Sequence, residues 1–185
     1  MIYLIRHGLD DERFIGGYSS VGLVDLGIKQ IEESSEWILK QGYDIKKIYS
    51  SDITRAIESA KIIANKLNLD IIVDKRLREQ NKGLLNGMNR LDAEKFFSHY
   101  LFSKSVDTCY PDGESLRDLY LRIRELLVDV SIYDKSLLVT HRGVINMIYY
   151  LTHNDELDMN KDKYGVVHGS VHELNLIKSK IRRIK

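Results

Sequence analysis

Two short stretches of this chain end an apolar run on a histidine and then reach a glycine. The first is Ile2-Tyr3-Leu4-Ile5-Arg6-His7-Gly8, the second Leu137-Leu138-Val139-Thr140-His141-Arg142-Gly143. Short apolar and β-branched runs bounded by glycine predict buried strands. An imidazole at the carboxyl end of such a strand stands where open α/β sheets bind their ligands. If the two strands are parallel, His7 and His141 lie side by side at one sheet edge. Arg6 precedes the first histidine, and Arg55 falls in the first turn of a helix predicted from Thr54. Helix N-termini carry partial positive charge and free N–H groups. Two imidazoles, two guanidinia and a helix terminus repel one another unless an anion sits among them. Phosphate is the natural anion, because a guanidinium fork matches two phosphoryl oxygens. Singly, a strand-end histidine is more often a structural group and Arg55 a surface residue. Their coincidence is what points to chemistry.

The elements that must position these residues alternate. After the first strand, a glycine-rich loop from Gly16-Gly17 to Gly22 leads to a helix ending near Gln41, with Ile28, Ile31, Ile38 and Leu39 at helical spacing. Lys46 to Ser50 reads as a strand. Thr54 to Leu67 reads as an amphipathic helix with Ala56, Ile57, Ala60, Ile63, Ala64 and Leu67 on one side and Asp52 as its N-cap. Ile71-Ile72-Val73 is a third strand, and Arg90 to Phe102 a less regular, aromatic-rich helix. A long helix follows Pro111-Asp112-Gly113, its stripe running from Leu116 to Val130. Ser136 to Thr140 is a strand, Val144 to Leu151 a helix, and Val171 to Ile177 a last strand. The basic tail from Lys178 to Lys185 reads as a solvated edge strand or a frayed end. This order predicts a single α/β domain over 1–185, a three-layer sandwich with a largely parallel central sheet and helices on both faces. A small lid is expected at about 84–112. Its Phe96, Phe97, Tyr100 and Phe102 would either line an apolar pocket or pack a small core.

Composition excludes several classes. A formal net charge of +1 gives no bulk attraction to nucleic acid or to a membrane surface, so neither is expected as a partner. The single cysteine, Cys109, allows no internal disulfide. It cannot head a cysteine-phosphatase loop either, since that loop needs an arginine six positions on and Ser115 stands there. No leader or long apolar run follows Met1, which makes the cytoplasm the expected location. No paired-histidine ligand pattern occurs, so neither metal nor cofactor is expected. His99, His153, His168 and His172 read as structural or exposed groups, His168 being the one nearest the final strand. The oligomeric state is not encoded in any pattern found.

The ordered set of motifs resembles the histidine phosphatase superfamily, the phosphoglycerate-mutase-like group, and covers nearly the whole chain. Arg6-His7-Gly8 matches its signature. "GGYSSVGLVDLGIKQ" resembles its glycine-led segment, and "IYSSDITRAIESAKIIA" the segment carrying a second phosphate-binding arginine, here Arg55. "LREQNKGLLNG" resembles its acid segment, with Glu79 at the proton-donor position. "PDGES" resembles the start of a later helix, "LLVTHRGVINMI" the second-histidine segment, and "GSVHEL" the closing strand.

The resemblance implies a metal-independent phosphomonoesterase acting on a small phosphorylated metabolite. Neutral His7 attacks phosphorus to give a phosphohistidine, while Arg6, Arg55 and His141 surround the phosphoryl oxygens. Glu79 protonates the leaving group and then activates water. A structural alternative for Glu79 is an ion pair with Arg76 or Arg78. Gly16 and Gly17 are candidates for bringing backbone to the phosphate. The chain also departs from the family pattern. Leu9-Asp10-Asp11-Glu12-Arg13 replaces a glutamate-threonine and a later asparagine, which makes Arg13 either a substitute phosphate donor or a surface residue. Lys82 stands where an aromatic is common and is a candidate substrate contact, and Arg142 replaces a glycine. A mutase would need a longer segment between acid and second histidine, so hydrolysis is the first expectation. A mutase, or a catalytically silent phospholigand-binding protein, is the alternative.

Overall fold

In a computed structural model describing residues 1–175 and 177–185, six strands form one sheet in the order β3-β2-β4-β1-β5-β6. They are β1 (Ile2–Arg6), β2 (Lys47–Ser50), β3 (Ile71–Val73), β4 (Ser136–Thr140), β5 (Val171–Asn175) and β6 (Lys180–Arg183). The strands β3, β2, β4 and β1 run parallel, β5 runs antiparallel to β1, and β6 antiparallel to β5. Five α-helices accompany them: α1 (Asp25–Gln41), α2 (Thr54–Leu67), α3 (Arg90–Leu101), α4 (Leu116–Val128) and α5 (Arg142–His153).

The two-residue period of β1 builds both faces of the sandwich. Ile2 and Leu4 join Leu119, Ile123, Ile145 and Ile148 under α4 and α5. Tyr3 and Ile5 join Ile31, Ile38, Ala56, Ala60 and Ile63 under α1 and α2. A strand buried on both sides is largely apolar, which is why Ile2–Ile5 of β1 and Leu137–Val139 of β4 read as continuous runs; the buried Ser136 and Thr140 hydroxyls at the ends of β4 bond backbone carbonyls. A third, smaller core of Ile15, Leu85 and Ala93 packs Met88, Phe97, Leu101 and Tyr110 around α3. Of the four aromatics there, Phe97 joins that core and Tyr100 lines the cavity described below. Phe96 and Phe102 are exposed.

Some local expectations need correction. Asp52 does not cap α2: the N-cap is Ile53, with no side-chain cap bond. The Asp52 carboxylate instead pairs with Arg78 at 2.5 Å. The buried side of α1 is Gly27, Ile31, Ser34, Ser35 and Ile38, leaving Ile28 and Leu39 exposed. Gly27 is there because Gly8 presses on it. A Cβ on Gly8 would lie 2.2 Å from the Gly27 carbonyl oxygen, so neither position admits a side chain. The basic tail is the edge strand β6, paired with β5. The strand expected to reach Ile177 ends at Asn175, and Leu176 lies outside the described residues. Among the described residues no helix is long and apolar enough to cross a membrane.

Candidate active site

Parallel register brings the two strand ends together. Arg6 pairs with Thr140 across β1 and β4, so the next residues, His7 and His141, are neighbours with ring centroids 5.1 Å apart. Arg55 enters from the first turn of α2, and the start of α5 immediately follows His141. All three side chains are at most 3% exposed.

His7 is held by two contacts that fix its tautomer. Its Nδ1 lies 2.7 Å from the Gly8 carbonyl oxygen, an acceptor only, so Nδ1 carries the proton. Arg55 donates from Nε to His7 Nε2 at 3.1 Å, so Nε2 keeps its lone pair. Burial, with Arg55, His141 and Arg6 close by, pushes the His7 imidazole well below the usual histidine range. His141 is displaced in the same direction by burial and by Arg55 and Arg6. Its Nε2 contacts the Ser51 hydroxyl at 2.9 Å, while its buried Nδ1 has no protein partner.

The arginines are anchored through donors that leave others available. Arg55 also donates to the Gly17 carbonyl at 3.0 Å and the Ser19 hydroxyl at 3.2 Å, and Asp10 lies 3.4 Å from its Nε. Arg6 donates to the Val166 carbonyl at 2.9 Å and contacts His168 Nε2 at 2.5 Å, while its buried Nε is unpartnered. Burial and the nearby Arg142 pull the Arg6 guanidinium down to about 10. This is a densely cationic, desolvated pocket.

Glu79 reaches the pocket from the segment after the 3₁₀ turn Lys75–Leu77. Neither neighbouring arginine pairs with it: Arg76 binds Asp74 at 2.7 Å and Arg78 binds Asp52. The carboxylate instead accepts from the Gly143 N–H at 3.1 Å, in the first turn of α5, and from its own neighbour Gln80 N–H at 2.9 Å. Gly143 has to be glycine for this approach, since a Cβ there would lie 2.0 Å from Glu79 Oε1. Arg122 fixes the same segment from α4, donating to the carbonyls of Arg76, Arg78 and Glu79 while paired with Glu114 at 2.9 Å.

These groups line a cavity of about 180 Å³ that includes Arg6, His7, Gly16, Gly17, Arg55, Glu79 and Lys82. Residues of the 84–112 segment, among them Arg90, Tyr100 and Tyr110, line it too. His141, fully buried beside His7, is not among the lining residues. Arg13 does not join them. Its side chain is 80% exposed and forks onto Asp11, which satisfies the guanidinium on the surface. Gly17 lines the cavity and accepts from Arg55 through its carbonyl. Sequence reasoning missed Asp10, which lines the cavity, and His168, which packs against Arg6 and His7. His168 lies 5.5 Å from His7 between ring centroids, and burial beside Arg6 pushes it down to about 3. Burial raises Asp10 despite Arg55. The ligand atoms of His7, Asp10 and His168 lie within 4.8 Å of one another. Arg55 and Arg6 already donate to the two imidazole lone pairs, and their charges oppose a cation in that space.

Comparison with known proteins gives the same frame. Residues 2–182 match the family described as "Histidine phosphatase superfamily (branch 1)". The chain is 36% identical over 159 residues to "Phosphoglycerate mutase-like protein 4" of Arabidopsis thaliana, covering 80% of this chain and 69% of that protein. It is 35% identical over 134 residues to "Probable phosphoglycerate mutase GpmB" of Enterobacter sp. (strain 638), covering 69% of this chain and 61% of that protein. In fold it is similar to the alpha-ribazole phosphatase from Shigella flexneri, with a TM-score of 0.80 at 18% identity over 98% of this chain and 93% of the other.

Proposed function

The chain belongs to the histidine phosphatase superfamily, and from that premise we propose that it is a metal-independent phosphomonoesterase acting through a phosphohistidine at His7. The observation that carries this reading is the state of His7: proton on Nδ1, lone pair on Nε2, and a guanidinium beside that lone pair. In the reaction an arriving phosphoryl group takes over the Arg55 donor and frees Nε2. Nε2 attacks phosphorus in line, the N–P bond forms, and the ester P–O bond breaks. The leaving alkoxide takes a proton from Glu79. Water then attacks the phosphohistidine, gives its proton to Glu79, and inorganic phosphate departs. Arg6 and Arg55 stabilise the charge that spreads over the phosphoryl oxygens, and His141 packs against His7 at the edge of the same site. The segment 84–112 covers the site.

Hydrolysis rather than mutation is favoured by the short segment between Glu79 and His141. The neighbour in fold that is named a phosphatase agrees with this, while the relatives named for phosphoglycerate mutase keep phosphoryl return as the competing outcome. The test is a panel of phosphorylated metabolites, nucleotides and phosphopeptides, scored by phosphate release with and without a strong chelator. Free phosphate from at least one small monoester is expected, inhibited by vanadate and indifferent to chelation. Label returned to an isomerised substrate would mean a mutase. Activity lost on chelation and restored by a divalent ion would contradict the mechanism.

A further inference from the structure

One carboxylate faces the phosphoryl pocket and has no part in the reaction above. Asp10 lines the cavity with Arg6, His7 and Arg55, and its side chain is 14% exposed. Its Oδ2 lies 3.4 Å from Arg55 Nε, the nitrogen that also donates to His7 Nε2 at 3.1 Å. Its Oδ1 lies 3.9 Å from His168 Nε2. A phosphoryl group in line with His7 Nε2 brings phosphorus to about 3–3.5 Å from that nitrogen. Its oxygens, seated on the Arg55 guanidinium, therefore meet the Asp10 carboxylate.

The backbone holds Asp10 in this place from both sides. Asp10 pairs with Leu23 in an isolated antiparallel bridge, and the Val24 N–H donates to the Leu9 carbonyl at 3.0 Å. The Leu9 N–H donates to the Gln30 side-chain oxygen at 2.9 Å, and the Phe14 N–H to the Asp11 carbonyl at 3.1 Å. The charges around the carboxylate come from several elements. Arg6 ends β1, Arg55 opens α2, and Arg142 acts on Arg6 from the start of α5. Burial keeps the imidazoles of His7, His141 and His168 neutral near pH 7. Glu79 pulls on both guanidinia from the opposite side, and Glu12 repels Asp10 along its own loop. Ionised, Asp10 cancels one of the two guanidinia that must hold a phosphoryl dianion. Burial already raises its pKa against the pull of Arg55 and Arg6. A dianion in contact raises it further, because anions sharing a desolvated site cannot all stay ionised.

We propose that Asp10 takes up one proton from solvent when the phosphoryl group binds and, as a neutral acid, donates a hydrogen bond to a phosphoryl oxygen. The proposal rests on the phosphomonoesterase reading for the identity of the anion. Carboxylate, dianion and one proton give a complex with that proton shared between two oxygens, and a monoanionic ester brings the same proton itself. The proton returns to solvent when phosphate departs. Threonine, the residue of the family pattern at this place, donates at any pH, whereas aspartate makes the contact depend on a proton. Binding of a dianion is strongest where Asp10 is already protonated. It weakens as pH rises above the pKa of the free protein, by up to about tenfold per pH unit, and levels off above the pKa of the complex.

Tungstate, a tetrahedral anion that stays a dianion around neutral pH, is the probe. Calorimetric titration of the full chain in buffers of different ionisation enthalpy counts the protons taken up. About one proton per tungstate is expected, with affinity about 10-fold weaker at pH 7.5 than at pH 6.5. Asp10→Asn and Asp10→Thr keep a neutral polar group in place. Both should bind tungstate at least about 10-fold tighter than the unaltered chain at pH 7.5, without proton uptake and without the pH slope. Weaker binding in both variants, at unchanged melting temperature, would overturn the proposal and make Asp10 the ionised partner of Arg55. Proton uptake that persists in both would overturn it by placing the proton on a histidine, and so would a failure of the unaltered chain to bind tungstate. Proton-coupled binding by a protein that releases phosphate from no ester would refute the hydrolase reading and leave this one standing. Turnover with proton-independent binding would do the reverse.

Discussion

At the scale of single residues, the role of Glu79 turns on what it does not touch. Arg76 and Arg78 sit three and one positions before it, and an ion pair with either is the simplest structural use of a glutamate there. Both are committed to Asp74 and Asp52. Glu79→Gln keeps the shape and removes the transferable proton, and general acid catalysis typically contributes about 10²–10⁴-fold. The loss should depend on the leaving group. An alkyl phosphate leaves as a strongly basic alkoxide and needs the proton, whereas nitrophenolate hardly does. Glu79→Gln should therefore cripple alkyl phosphate hydrolysis far more than nitrophenyl phosphate hydrolysis, with melting temperature nearly unchanged. Equal losses on both esters would assign Glu79 to structure. The limits of sequence reading appear at this scale too. Asp10 and Asp11 are chemically identical neighbours, and only the loop's path decides that Asp10 faces Arg55 while Asp11 turns outward to take Arg13. His168 reaches Arg6 and His7 from the turn before β5, because β5 pairs beside β1, which no local pattern announces.

At the scale of elements, the start of α5 links the second histidine to the acid. His141 is its N-cap, and Gly143 in its first turn donates to Glu79. Gly143→Ala would place a methyl where the carboxylate lies, so Glu79 must move. Its kinetic signature should copy that of Glu79→Gln, a large kcat loss on alkyl phosphates and a small one on nitrophenyl phosphate, while alanine suits a helix better than glycine. A KM effect alone, equal across leaving groups, would show that the contact does not position the acid. Elements with strong periodicity were legible, as β1, β4 and α2 illustrate, because apolar continuity and helical stripes are local properties. The cap of α2 was not. Asp52 has the right type and place for capping, but a guanidinium from Arg78, 26 residues away, holds its carboxylate more strongly than one backbone N–H.

At the scale of the whole molecule, three buried histidines and the half-buried His168 tie stability to pH. His7 and His141 are displaced well below the ordinary value, and His168 and His172 down to about 3. In the unfolded chain each takes up a proton near pH 6.5, while in the folded chain it does not. The unfolded state then binds more protons, so stability falls as pH drops from about 6.5 toward 3. His168 and His172 alone account for about 3 kcal/mol between pH 6.5 and pH 5, on the order of 10 °C in melting temperature for a chain of this size. Asp10, raised by burial, works in the opposite sense and offsets part of it. Thermal melts at pH 7.5, 6.5 and 5 check this, and a melting temperature flat or rising toward pH 5 would contradict it. His172→Gln should flatten the slope, since His172 lies in the core between Tyr149 and Ser170, away from the phosphoryl pocket.

The claim on which the mechanism stands is that phosphate passes through His7. The direct measurement is to mix the protein with a radiolabelled phosphomonoester, quench during turnover, and divide the sample between acid and alkali. The label should be protein-bound after alkali, lost after acid, located on the peptide containing His7, and absent from His7→Ala protein. Label that survives acid, or an alkali-stable phosphohistidine recovered from His7→Ala, would contradict the account.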